Sequence, residues 1–91
     1  MNYHTIKVAE ICDNTKTRAQ GVILHREIEK HLRINMGVKI DFSDCHNIEP
    51  PFIKSSLNAI DEWYDGDIWW YEIKVIGSKN NIYDLLNMGT I

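Results

Sequence analysis

The sequence is poor in the features that usually announce specialised chemistry. Its two cysteines, Cys12 and Cys45, have neither the close spacing of a metal-binding pair nor the pattern of a disulfide framework. Both stand beside expected strands, where a free cysteine behaves as a small apolar residue. Basic residues are not in excess: ten Lys and Arg against thirteen Asp and Glu leave a formal charge of −3. That balance argues against a nucleic-acid binder held by phosphate neutralisation. The glycines are isolated, so no phosphate-cradling loop is present. No apolar run approaches the length needed to cross a bilayer. The opening MNYHTIKVAE lacks the basic start and apolar stretch of a secretory leader. A reduced, cytoplasmic setting without membrane contact is the expectation.

What is there reads as an ordinary globular domain. Apolar residues make up 44% and charged residues 25%, which excludes a disordered chain and leads us to expect one domain over residues 1–91. Charge is segregated: Lys16, Arg18, Arg26, Lys30 and Arg33 share one segment, and Asp61, Glu62, Asp65 and Asp67 another. Such asymmetry commonly marks solvated faces.

Hydrophobic periodicity divides the chain into alternating elements. Tyr3 to Ile11 carries the β-branched content and loose alternation of a strand. Thr17 is placed to cap a helix over 17–35, whose stripe is Gly21, Leu24, Ile28 and Leu32. Gly21 costs about 1 kcal/mol relative to alanine inside a helix, so close approach of another backbone or a late helix start is expected there. Asn35 and Gly37 stop that helix. Val38 to Phe42 suits a central strand. A second helix over 52–64 presents Ile53, Ser56, Leu57, Ile60 and Tyr64, and Asp65 to Asp67 form a turn. Ile68 to Ile76 alternates as a strand, with Trp69, Tyr71, Ile73 and Val75 opposite Trp70, Glu72, Lys74 and Ile76. A last helix buries Ile82, Leu85 and Leu86, with Ser78 as its expected cap. Strand and helix thus alternate three times. Right-handed crossovers then give an α/β fold with a small, mostly parallel sheet and three covering helices.

The stretch TRAQGVILHREIEKHLRINMGVKIDFSDCHNIEPPFIKSSLNAI resembles the STAS-like domains, small relatives of the fold found in anti-sigma-factor antagonists and sulphate-transporter tails. Arg18 and Gly21 match the Arg and Gly that open the family's first helix. Asp41, Phe42, Ser43, Asp44, Cys45 and Ile48 follow its Asp-Phe strand end and connection, and IKVIGSKNNIYDLL resembles its last strand and helix. The resemblance implies a regulatory module that binds protein, with a regulatory ATPase or kinase-like protein as partner and no cofactor. Switch members carry a phosphorylated Ser or Thr at the start of the second helix, and the relatives commonly have Ser-Ser-Phe. Here Pro50-Pro51-Phe52 keeps the phenylalanine and loses both hydroxyls.

Two prolines suit the first turn of a helix, where a missing N–H has no partner anyway. Because a residue before proline is pushed from the helical region, Pro51 is expected as the first helical residue. Glu49 then lies near the positive end of the helix dipole, where a carboxylate gains about 0.3–1 kcal/mol. It either supplies a permanent charge where relatives acquire a phosphate, or merely complements the dipole.

The expected partner surface is therefore Asp44, His46, Glu49, Pro50, Pro51 and Lys54, with Trp63 and Trp70 as a second, aromatic patch. Tryptophan is enriched at interaction hot spots, and the surrounding acids favour a basic partner. A mobile-element inhibitor that occludes a basic site on a nuclease or other host complex is the alternative reading. Catalytic and metal sites are not expected. His25 and His31 lie six apart, off the spacing of a helical ligand pair. Asp44, Cys45 and His46 sit where open α/β sheets bind ligands, but adjacent loop residues point apart. Self-association is left open.

Overall fold

In the computed structural model, which describes residues 2–64 and 67–90, three parallel strands form one sheet in the order β1-β2-β3. Strand β1 is Tyr3–Lys7, β2 is Gly37–Asp41 and β3 is Ile73–Ile76. The helices are α1 (Val8–Ile11), α2 (Arg18–Leu32), α3 (Pro50–Ile53), α4 (Ala59–Trp63), α5 (Ile68–Tyr71) and α6 (Ile82–Gly89). A π-helical turn, Lys54–Asn58, joins α3 to α4 without a break, giving one long second helix. The coarse α/β expectation holds, with β2 in the centre as its apolar run predicted.

With the strands in sequential order, crossovers of the same hand put both connecting helices on the same side of the sheet. The register explains which residues they cover. Ile6 pairs with Ile40, Ile40 with Val75, and Val38 with Ile73, so these point together toward the helices. Ile6, Val38, Ile40 and Ile73 are nearly inaccessible, and Leu24, Ile28, Phe52, Ile53, Leu57, Ile60 and Leu85 meet them from the helices. Full burial of each such side chain contributes about 1.5–3 kcal/mol before entropy is counted. The opposite sheet face carries Thr5, Lys7, Lys39 and Lys74, with Lys39 and Lys74 each reaching over the Tyr3 ring.

The expected cap of α2 is present, and of the two accounts of Gly21 the close approach is the one that holds. Thr17 accepts a hydrogen bond from the Gln20 N–H at 3.3 Å. A Cβ on Gly21 would land on the Ser55 hydroxyl and the Phe52 carbonyl, so the missing side chain is what lets α2 meet the second helix. Asn35 ends the helical region with a positive φ of 58°.

Five boundaries differ from expectation, each for a physical reason. The first strand ends at Lys7, and Val8–Ile11 winds into a helical turn that buries Val8. The aromatic segment before β3 is likewise helical over Ile68–Tyr71, because β2 begins at Gly37 and Ile73 is the first residue with a neighbour to pair. Aromatic β-propensity is realised only against such a neighbour. Pro50, not Pro51, is the first residue of α3, with Glu49 extended before it. At N1 the restriction that Pro51 imposes on Pro50 is overcome by the preset φ of both rings. Asn81 caps α6, accepting from the Asp84 N–H at 3.0 Å, while Ser78 closes its own turn to Asn80. Finally, His31 joins the buried stripe of α2, and Leu32 is only half-buried. The expected Asp65–Asp67 turn falls partly on residues 65 and 66, outside those described.

Candidate functional site: a groove between the two long helices

The serines of the second helix shape the site. Ser56 donates to the Phe52 carbonyl at 2.8 Å, and the Ser55 hydroxyl lies 3.0 Å from the Pro51 carbonyl and 3.2 Å from that of Phe52. Hydroxyls bonded back onto the preceding turn take over carbonyls that a regular ladder would use. The helix accommodates this by widening into the π-helical turn Lys54–Asn58. Phe52, Ile53, Ser56, Leu57 and Ile60 all face inward. Ser55 also contacts the Arg18 carbonyl at 3.0 Å, tying the two helices together where Gly21 leaves room. Neither serine presents a free hydroxyl at the helix entry: Ser56 is inaccessible and Ser55 is held at the helix contact.

Outside that contact a groove of about 490 Å³ runs between the helices. Val22, His25, Pro50, Ser55 and Ala59 form its half-buried floor, and Arg18, Pro51, Lys54 and Glu62 its exposed rim. Nε2 of His25 lies 3.2 Å from Glu29 Oε1 but out of line for a hydrogen bond, so this buried atom is unsatisfied among the described residues. Buried polar atoms are seldom left so. The groove therefore offers a largely apolar floor and a rim with two cationic groups, Arg18 and Lys54, and one carboxylate, Glu62.

The expected surface residues fall into three places. Pro50, Pro51 and Lys54 line the groove together. Glu49 stands exposed at its edge; its side chain makes no capping bond, while its N–H donates to the Thr15 carbonyl at 2.9 Å and its carbonyl accepts from the Phe52 N–H at 3.1 Å and the Ile53 N–H at 3.4 Å. Asp44 and His46 lie in the loop after β2, between two shallow clefts of about 320 and 350 Å³. Trp63 and Trp70, 76% and 67% exposed, belong to the far end of the second helix and to α5. From Pro50 to Trp63 the helix extends about 20 Å at the standard rise, so the aromatic patch lies at the opposite end of the groove from its Pro50 entrance, next to the rim residue Glu62. Trp69 takes the buried role, donating from Nε1 to Asp61 Oδ1 at 2.8 Å. The two indoles face opposite ways as expected, although the sequence leaves open which is buried, and a helical turn produces the division, not strand alternation.

The loop after β2 is rigidly set. Asp41 Oδ1 accepts from the Ser43 N–H at 2.8 Å, and Ser43, through side chain and backbone, holds the Asp41 carboxyl below its ordinary range. Gly77, at φ 71°, closes against the same group; a Cβ there would strike Asp41 and Ser43. The thiols beside this loop are poorly suited to nucleophilic chemistry. Burial, then Cys45 and Asp13, push Cys12 up to about 11, and burial followed by Asp41 and Asp44 raises Cys45. A thiol held protonated is a weak nucleophile and a weak ligand.

No family model, no curated protein and no solved structure matches this chain. Of the groove residues, Arg18, Val22 and His25 on α2 were not singled out as a surface from the sequence. Their spacing of four and three places them on one helical stripe, a signal present in the pattern. What that stripe faces depends on how the helices cross. No helix among the described residues is long and apolar enough to cross a membrane.

Proposed function

We propose that this chain is a non-catalytic, protein-binding regulatory module of the STAS-like type, and that it binds through the groove between α2 and the second helix. The observation that carries the reading is the convergence of Pro50, Pro51 and Lys54 with Arg18, Val22 and His25 around one groove. A relative with hydroxyls in place of the prolines would display its phospho-acceptor at this entrance. With Pro-Pro there the surface is fixed, and the module binds constitutively. Glu49 supplies a standing carboxylate beside it. Arg18 and Lys54 favour a partner segment bearing carboxylates together with an apolar residue, which the floor receives. The resemblance names the partner class as a regulatory ATPase or kinase-like protein.

A photo-crosslinking residue placed at Val22 tests this, with one at Trp70 as comparison. Capture of an ATPase or kinase-like protein from Val22, abolished by Arg18→Glu with Lys54→Glu, is the expected result. Capture from Trp70 alone would overturn it. That outcome would favour the inhibitor reading, for which Trp63 and Trp70 stand exposed among Asp61, Glu62, Asp67 and Glu72.

A further inference from the structure

On the flank of α2 that meets β1, three side chains from distant parts of the sequence converge. His4 of β1 and Glu27 and His31 of α2 hold ligand-capable atoms within 4.8 Å of one another. Glu27 and His31 are one helical turn apart, and the parity of β1 aims His4 to the helix side of the sheet with Ile6. His31 is 9% exposed, Glu27 is half-buried and His4 is open to solvent.

The hydrogen bonding of His31 defines which of its atoms is available. Nδ1 lies 2.9 Å from the Glu27 backbone carbonyl. A carbonyl oxygen can only accept, so the proton sits on Nδ1 and the neutral ring keeps its lone pair on Nε2. This is the outer arrangement that metal-bound histidines adopt: the second ring nitrogen donates to a carbonyl or carboxylate, which fixes tautomer and orientation. Two imidazoles and a carboxylate form a donor set suited to Zn²⁺ and its borderline neighbours, and unsuited to Mg²⁺ or Ca²⁺. We propose that His4, Glu27 and His31 bind one divalent transition-metal ion, Zn²⁺ being the reference case, with water completing the shell. The site would clip the edge strand β1 to α2. It is independent of the groove and of the function proposed for it.

The geometry also says what must move. The His4 and His31 rings are stacked, 4.0 Å between centroids and 9° from parallel. Imidazole lone pairs lie in the ring plane, so one ion cannot lie in both planes while the rings stay stacked. His31 is buried and tied. His4 is exposed and makes no side-chain hydrogen bond among the described residues, so it is the ring that turns. Lys30, with Nζ 3.6 Å from Glu27 Oε1, is the cation the metal displaces. The site is assembled on loading.

The test is calorimetric titration of the metal-stripped full chain with Zn²⁺, paired with thermal melts at each step. His4→Ala is the informative variant, since an exposed residue can be removed without disturbing the core. Glu27→Gln is the second, and His46→Ala and Cys45→Ser are controls. We expect one Zn²⁺ per chain and a melting temperature that rises with Zn²⁺. His4→Ala should weaken binding by more than about tenfold and abolish the rise, with the metal-free melt unchanged. Glu27→Gln should act in the same direction, and the controls should bind as wild type does. Absence of saturable binding would show a stacked histidine pair only. Binding that survives His4→Ala, that disappears in either control, or that needs two chains per ion would equally overturn the site.

Discussion

The two ends of the second helix are built by different rules. At its start the backbone is anchored from several sides: two prolines preset the first turn, the Glu49 N–H is held by the Thr15 carbonyl, and the Thr15 hydroxyl bonds the Asn47 carbonyl at 2.6 Å. At its finish the two indoles of Trp63 and Trp70 and the Tyr71 ring stand mostly in solvent. The ties there are few: Trp69 to Asp61, and the Tyr3 hydroxyl donating to the Tyr71 carbonyl. One end offers a pre-shaped groove, which limits the ordering cost of binding; the other offers large apolar area without a built receptacle. That contrast is why the groove, not the tryptophans, carries the proposed function.

Substitutions can break or sharpen this contrast. The largest effect should come from Phe52→Ala, which empties a fully buried position beneath the groove start. It should cost about 3–5 kcal/mol in denaturant unfolding, whereas Trp70→Ala should stay within about 0.5 kcal/mol. A comparable loss from Trp70→Ala would mean that the far end is structural. Next, Gly21→Ala should destabilise by about 1–3 kcal/mol despite alanine's better helix propensity, because its methyl meets Ser55 and a backbone carbonyl. A stabilised variant would show that the helices have slack, and the groove no fixed width.

Gly77→Ala should cost about 1–2 kcal/mol through its left-handed backbone and its contact with Asp41 and Ser43. Thermal melts would register this as several degrees. The smallest effect concerns protons. The Asp41 carboxyl is held below its ordinary value of 3.8, so its contribution is present above that value and is lost as pH falls through the folded-state value. Asp41→Asn should therefore flatten the acid limb of the stability profile, and an unchanged limb would remove Ser43 from the account. Cys12, with the opposite shift to about 11, should resist alkylation at neutral pH, with a rate that climbs steadily as pH rises toward that value.

Much of the architecture was legible because apolar period and cap chemistry agree. Leu24 and Ile28, Thr17 as cap and the central apolar run of β2 all follow from local pattern, whereas Gly21 is equally compatible with a late helix start. The misread segments are those where tertiary context outweighs propensity. Trp69, Trp70 and Tyr71 have strand preference but no strand beside them, and Val8 to Ile11 continues past the last paired residue of β1. The prolines and Lys54 were visible as a helix entry, but the α2 side of the groove depends on the crossing of two helices. The His4, Glu27 and His31 cluster is further from view still: the partner of His31 lies on the first strand, 27 positions away, and no spacing rule links them.

The most direct measurement is hydrogen exchange on the chain alone and in complex with the partner captured by crosslinking. The account predicts new protection over residues 18–25 and 50–62, with residues 67–71 exchanging as before. Protection confined to residues 67–71, with the two groove segments unchanged, would contradict it.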